Sequence, residues 1–358
     1  MKENKAMIDF IKKLEREFNT QIIFSSKHII GENYYDVDEG GNIKTLYLVD
    51  INLKDLAVLL PIADNLVNLG VYDCNIRTLR VLKSFTRLQA LSLCSNRLHS
   101  STIRHLSYLK NLKHLNLFNT NLKDTSLLGD LIGLETLDIG GWNPYCEIKG
   151  LEQLKSLCHL EASYIFNISS VAKINVTDNL RSLNIGSMDI KRITDLDRFP
   201  YLEELRLDGC HRLKKIEGLD MLYNLKKLFI STIPIKKIEG LENLINLEIL
   251  DLHYNQISKI KGLDNLKNLK KLCLNENEIS KVENLDNLIN LELLLLDGND
   301  ITNFDTKFFN NLVSECHIYV GNRNADKLKA IAPKNVKINF DKDFPYPISL
   351  YEPKDFFR

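Results

Sequence analysis

The 358-residue chain has no excess of charge of either sign: 47 Lys and Arg stand against 47 Asp and Glu, and the pI is near 7.1. Nucleic acid and anionic membrane both call for a sustained basic surface, to displace counterions or to approach headgroups, so neither is expected as a partner. No apolar run approaches 18 residues, which excludes a membrane-spanning helix of the ordinary kind. Near the N-terminus Lys12, Lys13, Glu15, Arg16 and Glu17 interrupt the stretch that a secretory signal would keep apolar. Cysteine is sparse and unpaired in pattern. The seven residues (74, 94, 146, 158, 210, 273 and 316) never come closer than twelve positions and form no CxxC, against both a disulfide framework and a zinc site. A reducing cytoplasm is the expected compartment.

Catalytic signatures are missing too. There is no GxxxxGK[ST], GxSxG, HExxH or GxGxxG, and the nearest histidine pair, His99 and His105, lacks metal-ligand spacing. No enzyme activity, cofactor or metal is expected. Tryptophan occurs once, at 142, and half of the eight prolines (333, 345, 347 and 353) crowd into the last 26 residues, where they preclude regular helix.

What the chain does have is repetition. The pattern LxxLxLxxN with a short apolar tail begins at Ile43 and returns at Leu66, Leu88, Leu112, Leu134, Leu157, Leu180, Leu202, Leu225, Leu247, Leu269 and Leu291, at intervals of 22 to 24 residues. Within each unit the centre alternates apolar and polar, as a half-buried strand does. The apolar residues that follow at spacing three need only a tight 3-10 or irregular turn to face inward. One such unit cannot close a core, so the units must stack in parallel, with twelve strands at about 4.8 Å spanning roughly 50 to 60 Å. The expected fold is an α/β leucine-rich-repeat solenoid, a curved right-handed horseshoe with a parallel concave sheet and short convex segments. Asn96, Asn255, Asn277 and Asn299 hold the ninth position, where a buried amide can pair backbone groups of successive turns. Cys74, Thr120, Met188, Cys210 and Ile233 interrupt that ladder.

The strings at 236–263 and 269–288 resemble the SDS22-like class of leucine-rich repeats, with units of about 22 residues ending in a short 3-10 segment. The class includes a phosphatase regulator, a dynein light chain and the internalins. The resemblance covers most of 43–312 and is specific for fold. It implies a protein partner, a phosphatase or similar enzyme among the possibilities. The lack of a signal segment separates this chain from the secreted internalins.

An open stack needs caps. Met7, Phe10, Ile11, Leu14 and Phe18 share one helical face, and Tyr34 to Val37 with Ile43 to Leu48 flank the turn-rich 38–42, a hairpin leading into the first repeat. Residues 1–42 thus form an N-terminal cap, 43–312 the repeats, and 313–358 a C-terminal cap and tail. In that last segment strands at Cys316 to Val320 and Val336 to Phe340 bracket a helix near Asp326 to Ile331. The tail is expected to lie along the last repeat or to be partly mobile.

Positions 3, 5 and 7 of each unit alternate against the buried leucines and so line the sheet face. The middle repeats place Phe118, Asp138, Glu161, Arg206 and Asp208 there, with His114, His159 and Tyr164 beside them, and Trp142 on a loop where the fifth unit departs from the pattern. Aromatics and Arg are what interfaces use as anchors. The expectation is a non-catalytic recognition, scaffold or regulatory module, a monomer that binds a protein on its concave face through Phe118, Asp138, Trp142, Glu161, Tyr164, Arg206 and Asp208. The alternative is an accessory or effector protein acting on an enzyme such as a phosphatase, or a small-ligand or catalytic role carried by the caps. Trp142 has two open readings at this stage, a filler of a widened core and an exposed anchor. Alternating charge at position 2 (Arg181, Glu203, Lys226, Glu248, Lys270, Glu292) is expected to form a stabilising ladder.

Overall fold

The computed structural model describes residues 4–142 and 145–339. The expected tail, with Phe340 and the prolines at 345, 347 and 353, lies outside the described residues. The chain divides into two compact units, the first comprising 4–165 with 175–177 and the second 166–174 with 178–339.

In the first unit, α1 (Lys5–Phe18) starts where the Asn4 side chain accepts the Ala6 N–H and stops at Asn19, which is left-handed. Its buried Phe10, Ile11 and Leu14 form the stripe anticipated from the apolar spacing. Eight strands follow: β1 (Ile23–Phe24), β2 (Tyr34–Val37), β3 (Ile43–Val49), β4 (Asn68–Tyr72), β5 (Ala90–Ser92), β6 (His114–Asn116), β7 (Thr136–Asp138) and β8 (His159–Glu161). β2 and β3 pair antiparallel across the turn at 38–42, the expected hairpin. The remaining pairs of the unit are parallel and in sequence order.

The second unit carries β9 (Ser182–Asn184), β10 (Glu204–Arg206), β11 (Lys227–Phe229), β12 (Ile249–Asp251), β13 (Lys271–Cys273), β14 (Lys281–Val282), β15 (Leu293–Leu295), β16 (Asn303–Phe304), β17 (Cys316–Tyr319), α2 (Asn322–Ile331) and β18 (Val336–Asn339). β9 to β13, β15, β17 and β18 pair in that order, all parallel, so the two strands of the C-terminal segment extend the repeat sheet. β14 and β16 make a separate parallel pair.

Each repeat turns on the leucines. Leu247, Leu250, Leu252, Ile257, Ile260, Leu263 and Leu266 are all buried. Tight turns close the return path: Leu244 N–H donates to Leu241 C=O and Leu247 N–H to Leu244 C=O, each at 3.0 Å. A three-residue turn of this kind brings successive leucines to one side. In the first unit the same path is made of 3-10 segments such as Arg80–Ser84 and Ser100–Tyr108.

The ninth-position amides act as expected. Asn96 accepts from Cys74 N–H (3.1 Å) and Ile76 N–H (2.8 Å) and donates to Val71 C=O (2.6 Å) and Leu93 C=O (3.0 Å). Where cysteine replaces asparagine, the thiol takes over one acceptor: Cys210 Sγ lies 3.4 Å from Ile185 C=O. Two further amide ladders run along the repeat edges. Asn224, Asn246, Asn268 and Asn290, each just before a first leucine, donate to the carbonyls of Pro200, Tyr223, Ile245 and Lys267 in the preceding unit. Asn243, Asn265 and Asn287 do likewise toward Asp220, Glu242 and Asp264.

A backbone rule accompanies them. The eighth residue of all twelve units has positive φ: Asp50, Asp73, Ser95, Asn119, Gly141, Tyr164, Ser187, Gly209, Thr232, Tyr254, Glu276 and Gly298. The turn aims the N–H of this residue at the next unit, as in Asp73 to Cys94 C=O (3.1 Å) and Tyr254 to Asn275 C=O (3.1 Å), which prolongs the ladder past the short strand. Left-handed φ is costly for β-branched and bulky residues, so Thr232, Tyr164 and Tyr254 hold it because the stacked ladder demands it.

All seven cysteines are free thiols, and every one but Cys158 is buried. Burial pushes Cys74, Cys146, Cys210 and Cys316 up to about 12. Since the thiolate is the nucleophile, titration of the native protein with a disulfide reagent should show Cys158 reacting first and the other six only on unfolding. Fewer than seven thiols in denaturant, without added reductant, would show that a disulfide had formed.

Candidate functional site

The face turned away from the leucine core is built from positions 3, 5 and 7, and the seven expected residues fall in both units. In the first, the registers set Asn116, Asp138 and Glu161 side by side on β6, β7 and β8, and His114, Thr136 and His159 side by side two residues earlier. His114 Nδ1 is 2.9 Å from Thr136 Oγ1, and burial lowers its pKa. Asp138 Oδ1 accepts the Gly140 N–H at 2.9 Å. Burial pushes its carboxyl up to about 7; the Gly140 bond opposes that shift and the neighbouring Glu161 charge adds to it. Phe118, half-buried, follows Asn116, whose side chain accepts the Phe118 N–H at 2.8 Å. The fifth-position Asn or Asp thus has a local task, holding the N–H two residues ahead, and Asn184 and Asp251 repeat it toward Gly186 and His253 in the second unit.

Trp142 is not core. It is 71% exposed, and its ring stacks on Tyr164 with centroids 6.1 Å apart and planes 20° from parallel. Tyr164 is itself 39% exposed and projects from its left-handed position at the rim of the sheet. Tyr145, three residues beyond Trp142, is 80% exposed. The geometry brings Trp142 and Tyr164 together as an aromatic platform.

In the second unit Arg206 and Asp208 are engaged within the face. The Arg206 Nε donates to Glu204 at 2.8 Å, and its guanidinium carbon lies 3.8 Å from the Phe229 ring centroid. Asp208 accepts from the Ser231 N–H (2.9 Å) and hydroxyl (2.6 Å), while burial raises its pKa. His253 Nδ1 sits 2.6 Å from Asp251; burial acts to lower the histidine pKa, but the bond and charge of Asp251 outweigh it and the pKa is raised.

The position-2 charges form their ladder on the edge: Glu203 pairs with Arg181 (2.6 Å) and Lys226 (2.8 Å), and Lys270 with Glu248 (2.7 Å). They line an open groove of about 610 Å³ together with the edge asparagines. Apart from Tyr201, its side chains are paired with each other or with backbone carbonyls, which makes it a structural seam, each exposed pair contributing roughly 0 to 1 kcal/mol. Among the described residues no three His, Cys, Asp or Glu side chains are grouped to hold a metal ion, and no helix is long and apolar enough to cross a membrane.

Comparison with known proteins agrees with this geometry. A family model described as leucine-rich repeats, two copies, matches 223–265 and 245–288. Together with the parallel strands and three-residue turns, it decides the fold. This is a leucine-rich-repeat solenoid. Similar solved structures include an internalin of Listeria monocytogenes, 24% identical, with a TM-score of 0.54 over 75% of this chain and 84% of that one. A leucine-rich-repeat protein of Leptospira interrogans is 21% identical, with a TM-score of 0.56 over 79% and 86%. A chain of the octameric complex of Latrophilin 3, Unc5D and FLRT2, in which FLRT2 contributes leucine-rich repeats, is 21% identical, with a TM-score of 0.62 over 83% and 90%. No curated protein matches the chain significantly.

Proposed function

We propose that this leucine-rich-repeat protein is a non-catalytic binding module that recognises a protein partner on the sheet face of its first unit. The observation that carries the reading is the Trp142–Tyr164 stack, a large aromatic surface left in water beside the acidic neighbours Asp138 and Glu161. Ring pairs presented in this way give contact area at little cost in side-chain entropy, and anchors of interfaces are enriched in Trp, Tyr and Arg. Phe118 supplies the half-buried apolar floor nearby, and the acidic pair favours a partner segment with Lys or Arg. Arg206 and Asp208, engaged with their own neighbours, are secondary contacts in this reading.

The 22-residue period supports placement in the SDS22-like class, and that kinship is the reason to include a phosphatase or similar enzyme among candidate partners. Seven free thiols fit a reducing, cytoplasmic setting. Affinity purification with the wild-type chain and with Trp142→Ala and Tyr164→Ala, followed by calorimetry on the recovered partner, tests the proposal. Each variant should weaken binding by about 1 to 3 kcal/mol with little change in melting temperature, and Lys236→Ala should be neutral. Full affinity in both aromatic variants would move the binding surface off this face.

A further inference from the structure

Along one edge of the second unit the position-2 charges run Arg181, Glu203, Lys226, Glu248, Lys270, Glu292, about 4.8 Å from unit to unit. Their ladder is not continuous. Glu203 holds both Arg181 and Lys226, and Glu248 holds Lys270, but among the described residues no ion pair joins Lys226 to Glu248. The break divides the row into a first triplet, Arg181, Glu203 and Lys226, with one net positive charge, and a second, Glu248, Lys270 and Glu292, with one net negative charge. Arg181, Lys226 and Lys270 stay about half exposed, so their outer donors remain available. Beside the charges, on the turns that lead into the strands, lies an apolar group. Tyr201, Met221, Tyr223 and Ile245, in three successive units, are 53%, 52%, 48% and 52% exposed. Tyr223 leans on Met221, its hydroxyl 3.5 Å from the sulfur, and Tyr201 takes the place that the next four units give to asparagine. Pairing within the chain accounts for the charges, but it gives no reason to keep these four side chains in water, and apolar groups gathered there mark a contact surface.

We propose that this edge binds a second copy of the chain, antiparallel, about a two-fold axis that crosses the row at the break between Lys226 and Glu248. A two-fold contact sets a surface against itself, and the charges decide between its two directions. With the axis along the row each charge meets its own copy, Arg181 on Arg181 and Glu203 on Glu203, and the contact is repelled. With the axis across the row the order reverses: Arg181 faces Glu292 of the second copy, Glu203 faces Lys270 and Lys226 faces Glu248, so every charge meets its opposite. The positive triplet of each copy then lies on the negative triplet of the other. The same rotation keeps each row on its own side and sets Tyr223 and Met221 against Ile245 of the second copy, an apolar centre beside a polar border, as interfaces are built. An edge a few units long makes a small interface, so the pair is a weak one that depends on concentration. The contact uses no residue of the proposed partner site and stands or falls apart from it, and it replaces the monomer expected from the sequence.

Charge reversal separates this contact from the ladder within one chain. Sedimentation equilibrium of the full chain at about 100 μM and about 50 mM salt should show dimer, and raising the salt to about 500 mM should weaken it at least tenfold, roughly, by screening. Lys226→Glu and Glu248→Lys each set like charges together on both sides of the axis, so each variant alone should be monomeric under the low-salt conditions. Mixed in equal amounts the two should dimerise again, because the reversed charges then face each other across the axis while the unreversed Lys226 and Glu248 stay matched. Pairing confined to one chain gives no such recovery. A wild type that is monomeric throughout, a dimer that survives either single reversal, or no recovery on mixing would each overturn the proposal. Should a reversal lower the melting temperature enough to put its fold in doubt, Tyr223→Ser at a half-exposed position decides the matter. Association about tenfold weaker with an unchanged melting curve is expected, and unchanged association would refute the contact.

Discussion

Asn255→Ala and Asn277→Ala should each destabilise the second unit by about 2 to 3 kcal/mol, and the double variant should lose about 1 kcal/mol more than their sum. The excess follows from shared acceptors. Leu252 C=O receives both the Asn255 amide (2.9 Å) and the Asn277 amide (2.9 Å), so either asparagine alone keeps that carbonyl paired. Removing both orphans it inside the core. Each single change already strips buried N–H groups of their acceptor: Ile257 N–H bonds to Asn277 Oδ1 at 2.9 Å, and Ile233 and Ile235 N–H to Asn255 Oδ1 at 3.3 and 3.4 Å. Asn268→Ala is the control. Its bond to Ile245 C=O lies on an exposed edge where water can replace it, and its cost should stay near the few tenths of a kcal/mol usual for surface changes. Stacked repeats need not unfold in one step, so urea titration should be accompanied by hydrogen exchange at Ile257, whose protection should fall in Asn277→Ala. Strict additivity across the pair would mean that water enters and satisfies the carbonyl.

The same ladder explains what could be read ahead of the structure. Leucine at positions 1, 4 and 6 states a period of two followed by a period of three, and every repeat strand from β3 to β13 and β15 lies where that change of period puts it. The helix and hairpin of the N-terminal segment were legible for the same reason: Phe10, Ile11 and Leu14 mark a helix stripe, and the turn residues at 38–42 mark the β2–β3 hairpin. The left-handed eighth position was not legible, because Asp, Ser, Asn, Gly, Tyr, Thr and Glu all occupy it. The stacking geometry imposes φ there, with no help from residue preference. The edge ladders were in plain view as Asn-Leu at 224, 246, 268 and 290, but they lie just outside the LxxLxLxxN frame used to find the repeats. Of the candidate site, the rows were derivable and the pairings within them were not. Arg206 turns to Glu204 on its own strand and to Phe229 on the next, and Asp208 to Ser231, contacts that appear only when neighbouring units are laid together. Trp142 required the path of its loop, because a unit lacking Asn and Ile at positions 9 and 11 could have drawn the ring inward.

Asp138 should make the stability of the chain fall as the pH rises from about 4 to about 7. Its carboxyl titrates near 7 in the folded chain against an ordinary value of 3.8, chiefly because burial disfavours the charge, with the Gly140 N–H opposing and Glu161 reinforcing the shift. Between these values the folded chain holds a proton that the unfolded chain has released. Stability from this group is therefore fully present below about pH 4 and lost as the pH climbs to about 7, amounting at most to about 4 kcal/mol. Asp208, whose pKa is also raised by burial, adds a slope of the same sign. Asp138→Asn keeps an oxygen to accept the Gly140 N–H and cannot ionise, so it should match the wild type near pH 4 and exceed it by a few kcal/mol at pH 8, read from melting or urea curves across that range. The same titration bears on binding. Asp138 gains its charge beside Glu161 and the Trp142–Tyr164 platform as the pH rises to about 7, so in the proposed reading affinity for a partner segment bearing Lys or Arg should rise from pH 6 to pH 8. Superimposable pH–stability profiles for wild type and Asp138→Asn would show that this carboxyl is solvated as an ordinary surface acid and would remove the electrostatic argument for a basic partner segment.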